Sequence, residues 1–252
     1  MATSDVQLVN VTAENVEETG FFCFMSKKKS QGYQNKLTWL RNRFSEGMRI
    51  KMLPLPERGF IEYIPGESAW RSIHADGYMV IHCLWVVGKS KKKGFSRLLL
   101  DTCIDDARRS GMRGVAVVTS EKVWMVGKKV FEGAGFELVE SADPAFSLMV
   151  HRFGNDELPS FAGEWEAKAE LCGEGLTVLY ADQCPYIPDA VALAVDAATE
   201  AGRKATAVHL ETRSDLMQRS PSPYGVFGMV LDGELLAYHY LLKKDLVRLL
   251  GV

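Results

Sequence analysis

The chain alternates short apolar runs with stretches whose apolar residues recur every three to four positions. Val115 to Thr119 is typical of a buried strand, and Tyr33 to Glu46 has the spacing of an amphipathic helix. Up to Phe153 the pattern predicts a strand at 6–11, helices at 15–23 and 33–46, strands at 48–53, 60–64 and 78–87, a helix ending at 111, a strand at 115–119, a helix at 126–133, and strands at 136–139 and 146–150. This order predicts an α/β layer fold with a mixed sheet.

A second pattern follows the acidic stretch from Gly154 to Gly175, which contains four glycines and lacks sustained apolar periodicity. We interpret this stretch as a connection, which predicts domains at 1–153 and 175–252 and a linker at 154–174. The second domain is predicted to contain a strand at 176–180, a helix at 188–201, a strand at 205–210, a hairpin at 226–240 turning at Asp232 and Gly233, and a helix at 243–250. A βαβ unit followed by a hairpin and a helix predicts a small, self-sufficient domain.

The net charge of −2 conceals an asymmetry between the two parts. Through Phe153 there are 22 basic and 17 acidic residues, and after it there are 8 and 15, so the first part favours an anionic ligand. The five cysteines form no CxxC pair, which predicts reduced thiols and no metal site. No apolar run is long enough for a membrane span, and the first ten residues lack signal-peptide features, so we expect a soluble, cytoplasmic protein without a membrane partner.

A basic turn stands between a predicted strand and a predicted helix in WVVGKSKKKGFSRLLLDTCIDDARRSG, Trp85 to Gly111. A glycine-containing turn that enters a helix presents unpaired backbone N–H groups, and the helix dipole adds partial positive charge. This turn is therefore suited to binding phosphate, and its four lysines strengthen the site: Lys89, Lys91, Lys92 and Lys93. The spacing matches neither a Walker loop nor the GxGxxG dinucleotide fingerprint.

Two other interpretations of the lysines are a solvated surface loop and a nucleic-acid contact. A nucleic-acid surface is expected to show more interleaved aromatic residues than Trp85 and Phe95 provide. We therefore expect no nucleic-acid partner.

The segment Lys91 to Ser96, KKKGFS, resembles motif A of the GNAT acetyltransferase superfamily, and Lys128 to Glu140, KKVFEGAGFELVE, resembles the second signature of that family. The resemblance implies the GNAT acyltransferase fold, a mixed and largely antiparallel sheet with helices, and acetyl-CoA as co-substrate. It implies that turn amides bind the pyrophosphate and that the preceding strand binds the pantetheine. The cofactor-binding residues that it implies are Leu84, Val86, Lys91, Lys92, Lys93, Gly94, Phe95, Ser96 and Phe131. Phe131 stands where the family often has a catalytic Tyr, and Trp124 stands where it often has Asn.

Acetyl transfer to an amine requires a base that removes the ammonium proton. His82, on the strand before the basic turn, is the first choice, because its ordinary pKa suits proton transfer. Glu62 is the second, acting directly or through water. A histidine held within the sheet and a surface glutamate are the corresponding structural interpretations. Strand alternation predicts that Cys83 points away from His82, and Tyr33 and Tyr63 are predicted to line the acceptor pocket.

Cys184 in VLYADQCPYIP follows a predicted strand and precedes a helix whose first turn contains Pro188. A thiol in this position has its thiolate stabilised by the helix dipole. The stretch CPYI resembles the glutaredoxin site CPYC with Ile187 as the fourth residue. The downstream segment resembles the thioredoxin-fold hairpin, which implies a cis-proline at Pro223, or else at Pro221.

Both parts together resemble the YoaP-type acetyltransferases, which have a GNAT domain followed by a small thioredoxin-like domain. Three roles stay open for Cys184: a buried structural thiol, a reactive thiol that binds a thiol or soft electrophile, and an acyl relay. The function that we predict is acetyl-CoA-dependent N-acetyl transfer to a small-molecule amine by direct attack, with His82, Glu62 and Cys184 as candidate catalytic residues. The alternatives are a thiol-redox or thiol-sensing protein that recognises a thiol-containing substrate and uses CoA as a regulatory ligand, and a nucleic-acid-binding module.

Overall fold

A computed structural model describes residues 6–122 and 125–251, which form two compact units. Unit 1 comprises 6–26, 40–69, 73–122 and 125–161 of the described residues, and unit 2 comprises 27–39, 70–72 and 162–251. Both contain strands and helices, as an α/β fold requires. The boundary at 161 falls inside the predicted connection, and two short segments from the first half of the chain belong to unit 2.

Unit 1 contains a seven-stranded sheet with the order β1-β2-β3-β5-β6-β8-β7. All neighbours are antiparallel except β5 and β6, which are parallel. The strands are β1 (Val9–Val11), β2 (Arg49–Met52), β3 (Gly59–Pro65), β5 (Tyr78–Val86), β6 (Gly114–Ser120), β7 (Glu137–Ala142) and β8 (Phe146–Arg152). A separate two-stranded ladder joins β4 (Ile73–His74) to β9 (Ser160–Phe161).

The α-helices that precede residue 161 in the described chain are α1 (Val16–Thr19), α2 (Gln31–Ser45), α3 (Phe95–Arg109) and α4 (Lys128–Glu132). Helix α3 presents Leu99, Cys103 and Ala107 to the sheet, because residues three to four apart share one face. These residues pack with Ile61, Ile81 and other side chains of β3, β5 and β6 in one apolar core. This packing fixes the start of α3 next to the end of β5.

Unit 2 contains a four-stranded sheet with the order β11-β10-β12-β13. Its strands are β10 (Leu176–Tyr180), β11 (Ala205–His209), β12 (Phe227–Leu231) and β13 (Glu234–Ala237), and its helices are α5 (Trp165–Glu170), α6 (Ile187–Glu200), α7 (Arg213–Arg219) and α8 (Lys243–Leu250), together with the first part of α2. Strand β10 is parallel to β11 through α6, whereas β12 and β13 form an antiparallel hairpin. Helices α6 and α8 contribute to one apolar core with β10 and β12.

The expected cis-proline is wrong for both Pro221 and Pro223, since the X-Pro cis bonds of the described chain precede Pro56 and Pro144. The amide of Gly225 donates to the carbonyl of Ser222 at 3.2 Å, which closes a turn with Pro223 at its second position. The proline ring fixes φ near the value that the second position of a turn requires, and a trans peptide bond before Pro223 is compatible with this turn.

Candidate active site

The basic turn has the backbone geometry of an anion-binding site. Lys92 and Gly94 have φ values of 61° and 82°, and α3 begins directly afterwards at Phe95. Since the first N–H groups of a helix have no carbonyl one turn earlier, they point out of its start together with the turn amides. Only glycine adopts such an angle without a steric cost, which accounts for Gly94 at the helix start.

A cavity of about 420 Å³ opens beside this turn. Its walls come from the end of β5, the turn, the first turn of α3, and α4, and its lining residues are Val86, Ser90, Lys92, Gly94, Phe95, Ser96, Arg97, Lys129, Val130 and Gly133. Five of the nine predicted cofactor residues therefore share one cavity. The other five lining residues were not predicted as site residues, although the two cations among them stand inside the quoted segments: Ser90, Arg97, Lys129, Val130 and Gly133.

The remaining predicted cofactor residues lie elsewhere. The Lys93 ammonium donates to the Glu57 carboxylate at 2.6 Å, and Lys91 is exposed at the turn. Leu84 and Phe131 are both buried in the core beneath α3. The Phe131 ring packs edge-on against Phe136 and carries no proton that it can donate.

Strands β5 and β6 separate in the middle of the sheet. They pair from Tyr78 and Gly114 to Ile81 and Val117, and within the described residues their pairing ends there. From residue 82 to residue 86, β5 therefore keeps β3 on one edge while its other edge leaves β6. Backbone groups on that edge are placed to bind an extended ligand by strand-like hydrogen bonds.

His82 lies at a β-bulge where this separation begins. Glu62 pairs with Cys83 and Tyr63 pairs with Ile81, so His82 is the extra residue on β5. His82 Nδ1 lies 3.6 Å from Glu62 Oε1, and the two side chains are 0% and 2% exposed. The bulge thus brings the two predicted bases together in a buried position.

The bulge also corrects the prediction for Cys83. Because a bulge places two consecutive residues opposite one, Cys83 and His82 both lie on the Glu62 face of the sheet. Tyr63 lies on the opposite face, under α3, where its hydroxyl donates to Asp106 at 2.6 Å. Burial, followed by its neighbours Cys103 and Asp106, raises the pKa of Tyr63. Tyr63 therefore does not line a pocket beside Glu62, and Tyr33 is buried within unit 2.

Cys184 is half-buried between β10 and α6 in unit 2. Helix α6 begins at Ile187, and Pro188 lies in its first turn as predicted. The Tyr240 hydroxyl donates to Cys184 Sγ at 2.9 Å. Burial raises the pKa of Tyr240, and its neighbours Tyr224 and Cys184 raise it further, so the phenol keeps the proton that it donates to sulfur.

A buried arginine binds Gln183, the residue that precedes this thiol in the chain. Arg71 donates to the side-chain oxygen of Gln183 at 2.6 Å and to the carbonyl of Trp70 at 2.7 Å. Its guanidinium lies 5.2 Å from the centre of the Tyr224 ring. No local sequence pattern marks this arrangement, because Arg71 is 112 residues away from Gln183.

Within the described ranges, no group of three or more His, Cys, Asp or Glu side chains is arranged to hold a metal ion. None of the helices in 6–122 and 125–251 is both long and apolar enough to span a bilayer. Trp124 lies outside the described residues.

No family model matches the chain, but a curated protein matches over nearly its whole length. This relative is the uncharacterized N-acetyltransferase YoaP of Bacillus subtilis strain 168, which is 30% identical over 248 residues, 96% of this chain and 98% of its own. Among solved structures, the chain is similar to a GNAT-family acetyltransferase from Desulfovibrio desulfuricans, with 17% identity, a TM-score of 0.42 and coverage of 59% of this chain and 99% of that one. It is also similar to the PaiA N-acetyltransferase of Thermoplasma acidophilum in complex with coenzyme A, with 14% identity, a TM-score of 0.41 and coverage of 59% and 99%.

Proposed function

The chain belongs to the GNAT family of N-acetyltransferases, enzymes whose co-substrate is acetyl-CoA, and from this premise we propose that unit 1 transfers the acetyl group directly to a small-molecule amine. The observation that carries the proposal is the cavity at the start of α3. It combines outward-pointing amides, the end of β5 and cationic side chains in one place. These features suit the anionic part of coenzyme A.

We assign the pyrophosphate to the turn from Lys91 to Ser96. Support comes from the left-handed angles of Lys92 and Gly94, which direct successive amides to one side, and from the helix dipole of α3. Lys92, Arg97 and Lys129 add positive charge at the cavity wall. Arg97 is held by Asp101 and by the carbonyl of Gly133, which links the start of α3 to the end of α4.

The pantetheine is assigned to the free edge of β5 next to Leu84 and Val86. An extended ligand that runs from the turn along this edge reaches His82, where β5 and β6 separate. The thioester carbon would then lie at the bulge. Backbone amides released from sheet pairing by a bulge are suited to stabilising the oxyanion that develops there.

We propose that His82 removes the proton from the attacking amine and that Glu62 positions the imidazole and stabilises its charged form. The buried 3.6 Å contact between the two groups supports this pairing. The amine nitrogen attacks the thioester carbonyl, the N–C bond forms, the C–S bond breaks, and CoA leaves as thiolate. No acid is assigned, since Phe131 has no transferable proton.

The test is calorimetric binding of acetyl-CoA to the wild type and to Gly94→Glu at two salt concentrations. A carboxylate at Gly94 adds negative charge to the anion site and a side chain at a φ of 82°, so we expect binding to be lost. Gly111→Glu is the matched control, because Gly111 follows the other end of α3, has a φ of 68° and has open space around it. Equal affinity in the wild type and Gly94→Glu would place the site elsewhere.

Unit 2 supports a second candidate function. We propose that it is a thioredoxin-like domain, because its sheet order and its single parallel pair through α6 match that topology. The hydrogen bond from Tyr240 favours the thiolate of Cys184, which supports thiol chemistry at this position. If this function governs activity, Cys184→Ser removes activity while acetyl-CoA affinity is unchanged. If amine acetylation governs it, Cys184→Ser acetylates amines at the wild-type rate.

A further inference from the structure

A strained aromatic segment, Phe21 to Met25, lies between α1 and α2. Phe22 and Phe24 have φ values of 79° and 55°, which bulky L-residues rarely adopt. The amide of Cys23 donates to the carbonyl of Phe21 at 3.1 Å, so Phe22 is the central residue of a γ-turn of the rarer, strained kind. Strain of this sort persists where surrounding contacts fix the chain, and it is concentrated at ligand sites.

The contacts of Phe22 place the aromatic segment on the face of the sheet that holds His82 and Glu62. The Phe22 ring stacks on Phe60 with centroids 4.7 Å apart. Because alternate residues of a strand share a face, Phe60 lies on the same face of β3 as Glu62. Phe60 is also paired with Trp85 on β5, so Phe22, Phe60, Trp85 and Glu62 all lie on the face opposite α3.

The exposure of these rings differs in a way that suits a binding surface. Phe21 and Phe60 are buried and anchor the segment, whereas Phe22, Phe24 and Trp85 are only half-buried. The exposed guanidinium of Arg58 lies over Phe22 at 5.7 Å, and a long flexible side chain of this kind can be displaced by a ligand. The surface therefore combines a fixed floor with rings that solvent reaches.

From this placement we infer that the acceptor is a primary amine that carries a flat aromatic group, bound against Phe22 and Trp85 with its amino group directed to His82 and its partner Glu62. Two residues along a strand separate Phe60 from Glu62 by roughly 7 Å. That distance matches a ring joined to an amine by a short alkyl spacer. The carboxylate attracts the ammonium, and the rings provide aromatic stacking and cation–π contacts.

This inference rests on the proposed acetyl transfer, and it names the class of acceptor for that reaction. The experiment compares acetylation of phenethylamine and hexylamine, two primary amines that differ in the aromatic ring. Rates are followed by CoA release and by the mass of the product, for the wild type, Phe22→Leu and Trp85→Leu. Phe153→Leu is the control, because it removes an aromatic ring whose contacts are with His151 and Arg108 and not with Phe22 or Trp85. Acetyl-CoA binding is measured on each protein by calorimetry.

For the wild type we expect kcat/KM for phenethylamine to exceed that for hexylamine by about tenfold, mainly through KM, in line with the free energy of one aromatic contact. Trp85→Leu and Phe22→Leu should each reduce the ratio of the two kcat/KM values to near one, and Phe153→Leu should leave this ratio unchanged. Equal rates for the two amines in the wild type, or a preference that is unchanged in either variant, would overturn the inference. A protein that binds acetyl-CoA but acetylates neither amine would also overturn it. A wild-type protein that does not bind acetyl-CoA would instead contradict the proposed function.

Discussion

At the scale of single residues, one inserted residue determines the geometry of the two candidate general bases, His82 and Glu62. Strict strand alternation predicts opposite faces for His82 and Cys83, and the bulge places both opposite Glu62. His82, Glu62 and Gly94 were all predicted from the sequence as site residues, and that assignment stays a prediction. The bulge was not predicted, because no residue type in the strand marks its position, and its effect is visible only in the register with β3.

The interaction between Tyr240 and Cys184 is a residue-scale feature with a direct test. A phenol that donates to sulfur stabilises the thiolate more than the thiol, because hydrogen bonds to charged acceptors are the stronger ones. We expect Tyr240→Phe to slow alkylation of Cys184 by iodoacetamide roughly tenfold at neutral pH, equivalent to about 1.4 kcal/mol. Mass spectrometry of the peptide that contains Cys184 distinguishes it from the other four cysteines.

Tyr238→Phe is the control for this measurement, because Tyr238 is also buried in unit 2. It should leave the alkylation rate at the wild-type value. An unchanged rate in Tyr240→Phe would assign Cys184 to a structural role and would remove the support for thiol chemistry.

At the scale of elements, α3 is tied to the sheet by a buried carboxylate. Asp106 accepts the hydroxyl of Tyr63 on β3 and lies 3.5 Å and 3.6 Å from the cationic groups of Arg49 and Lys51 on β2. Burial raises the pKa of Asp106, but the hydrogen bond from Tyr63 and the nearby cations outweigh it, and the net pKa lies below the ordinary value of 3.8. The charged carboxylate therefore stabilises the folded protein.

We expect Asp106→Asn to reduce the free energy of unfolding by about 2 kcal/mol, the usual contribution of hydrogen bonds to a charged group. Because the folded pKa is lowered, this contribution is complete above the ordinary pKa and is lost as the pH falls through the folded one. Urea unfolding across this range should show the difference between wild type and variant narrowing with acidity. Asp105→Asn, at the exposed neighbouring position, should have little effect. A difference that widens in acid would contradict the assignment.

Elements with strong periodicity or a sharp turn were predicted well, and short ones were missed. The strand at 176–180 and the helix at 243–250 have the predicted bounds, and the hairpin turns at Asp232 and Gly233, both with positive φ. Helices α5 and α7 and the β4–β9 ladder were not predicted, because six or seven residues give at most two helical turns and two residues show no alternation. For α7 a signal existed, since Thr212 and Asp215 form a capping box.

At the scale of the whole molecule, the path of the chain departs from the order of the predicted domains. Residues 27–39 and 70–72 belong to unit 2, together with 162–251 of the described chain. The contacts are close: a Cβ on Gly32 would lie 1.9 Å from the carbonyl oxygen of Pro185, and Ser72 accepts the amide of Ala162 at 3.0 Å. Contacts between residues so distant in sequence leave no local pattern. The change in composition therefore predicted the connection at 154–174, but it could not predict that segments from the first half of the chain belong to unit 2.

This chain path leads to a prediction about independent folding. A fragment of residues 162–252 lacks Arg71, a 2% exposed cation whose partner Gln183 would remain behind, and it lacks the start of α2 that packs on Pro185. Because buried polar groups without their partners are costly, we expect this fragment to show no cooperative thermal unfolding by circular dichroism. In the full chain, Arg71→Leu should lower the unfolding temperature, whereas Arg108→Leu, at an exposed arginine of unit 1, should change it little. A fragment that unfolds cooperatively, together with an unchanged unfolding temperature in Arg71→Leu, would mean that residues 162–252, which include the predicted domain at 175–252, are self-sufficient and that the early segments only cover their surface.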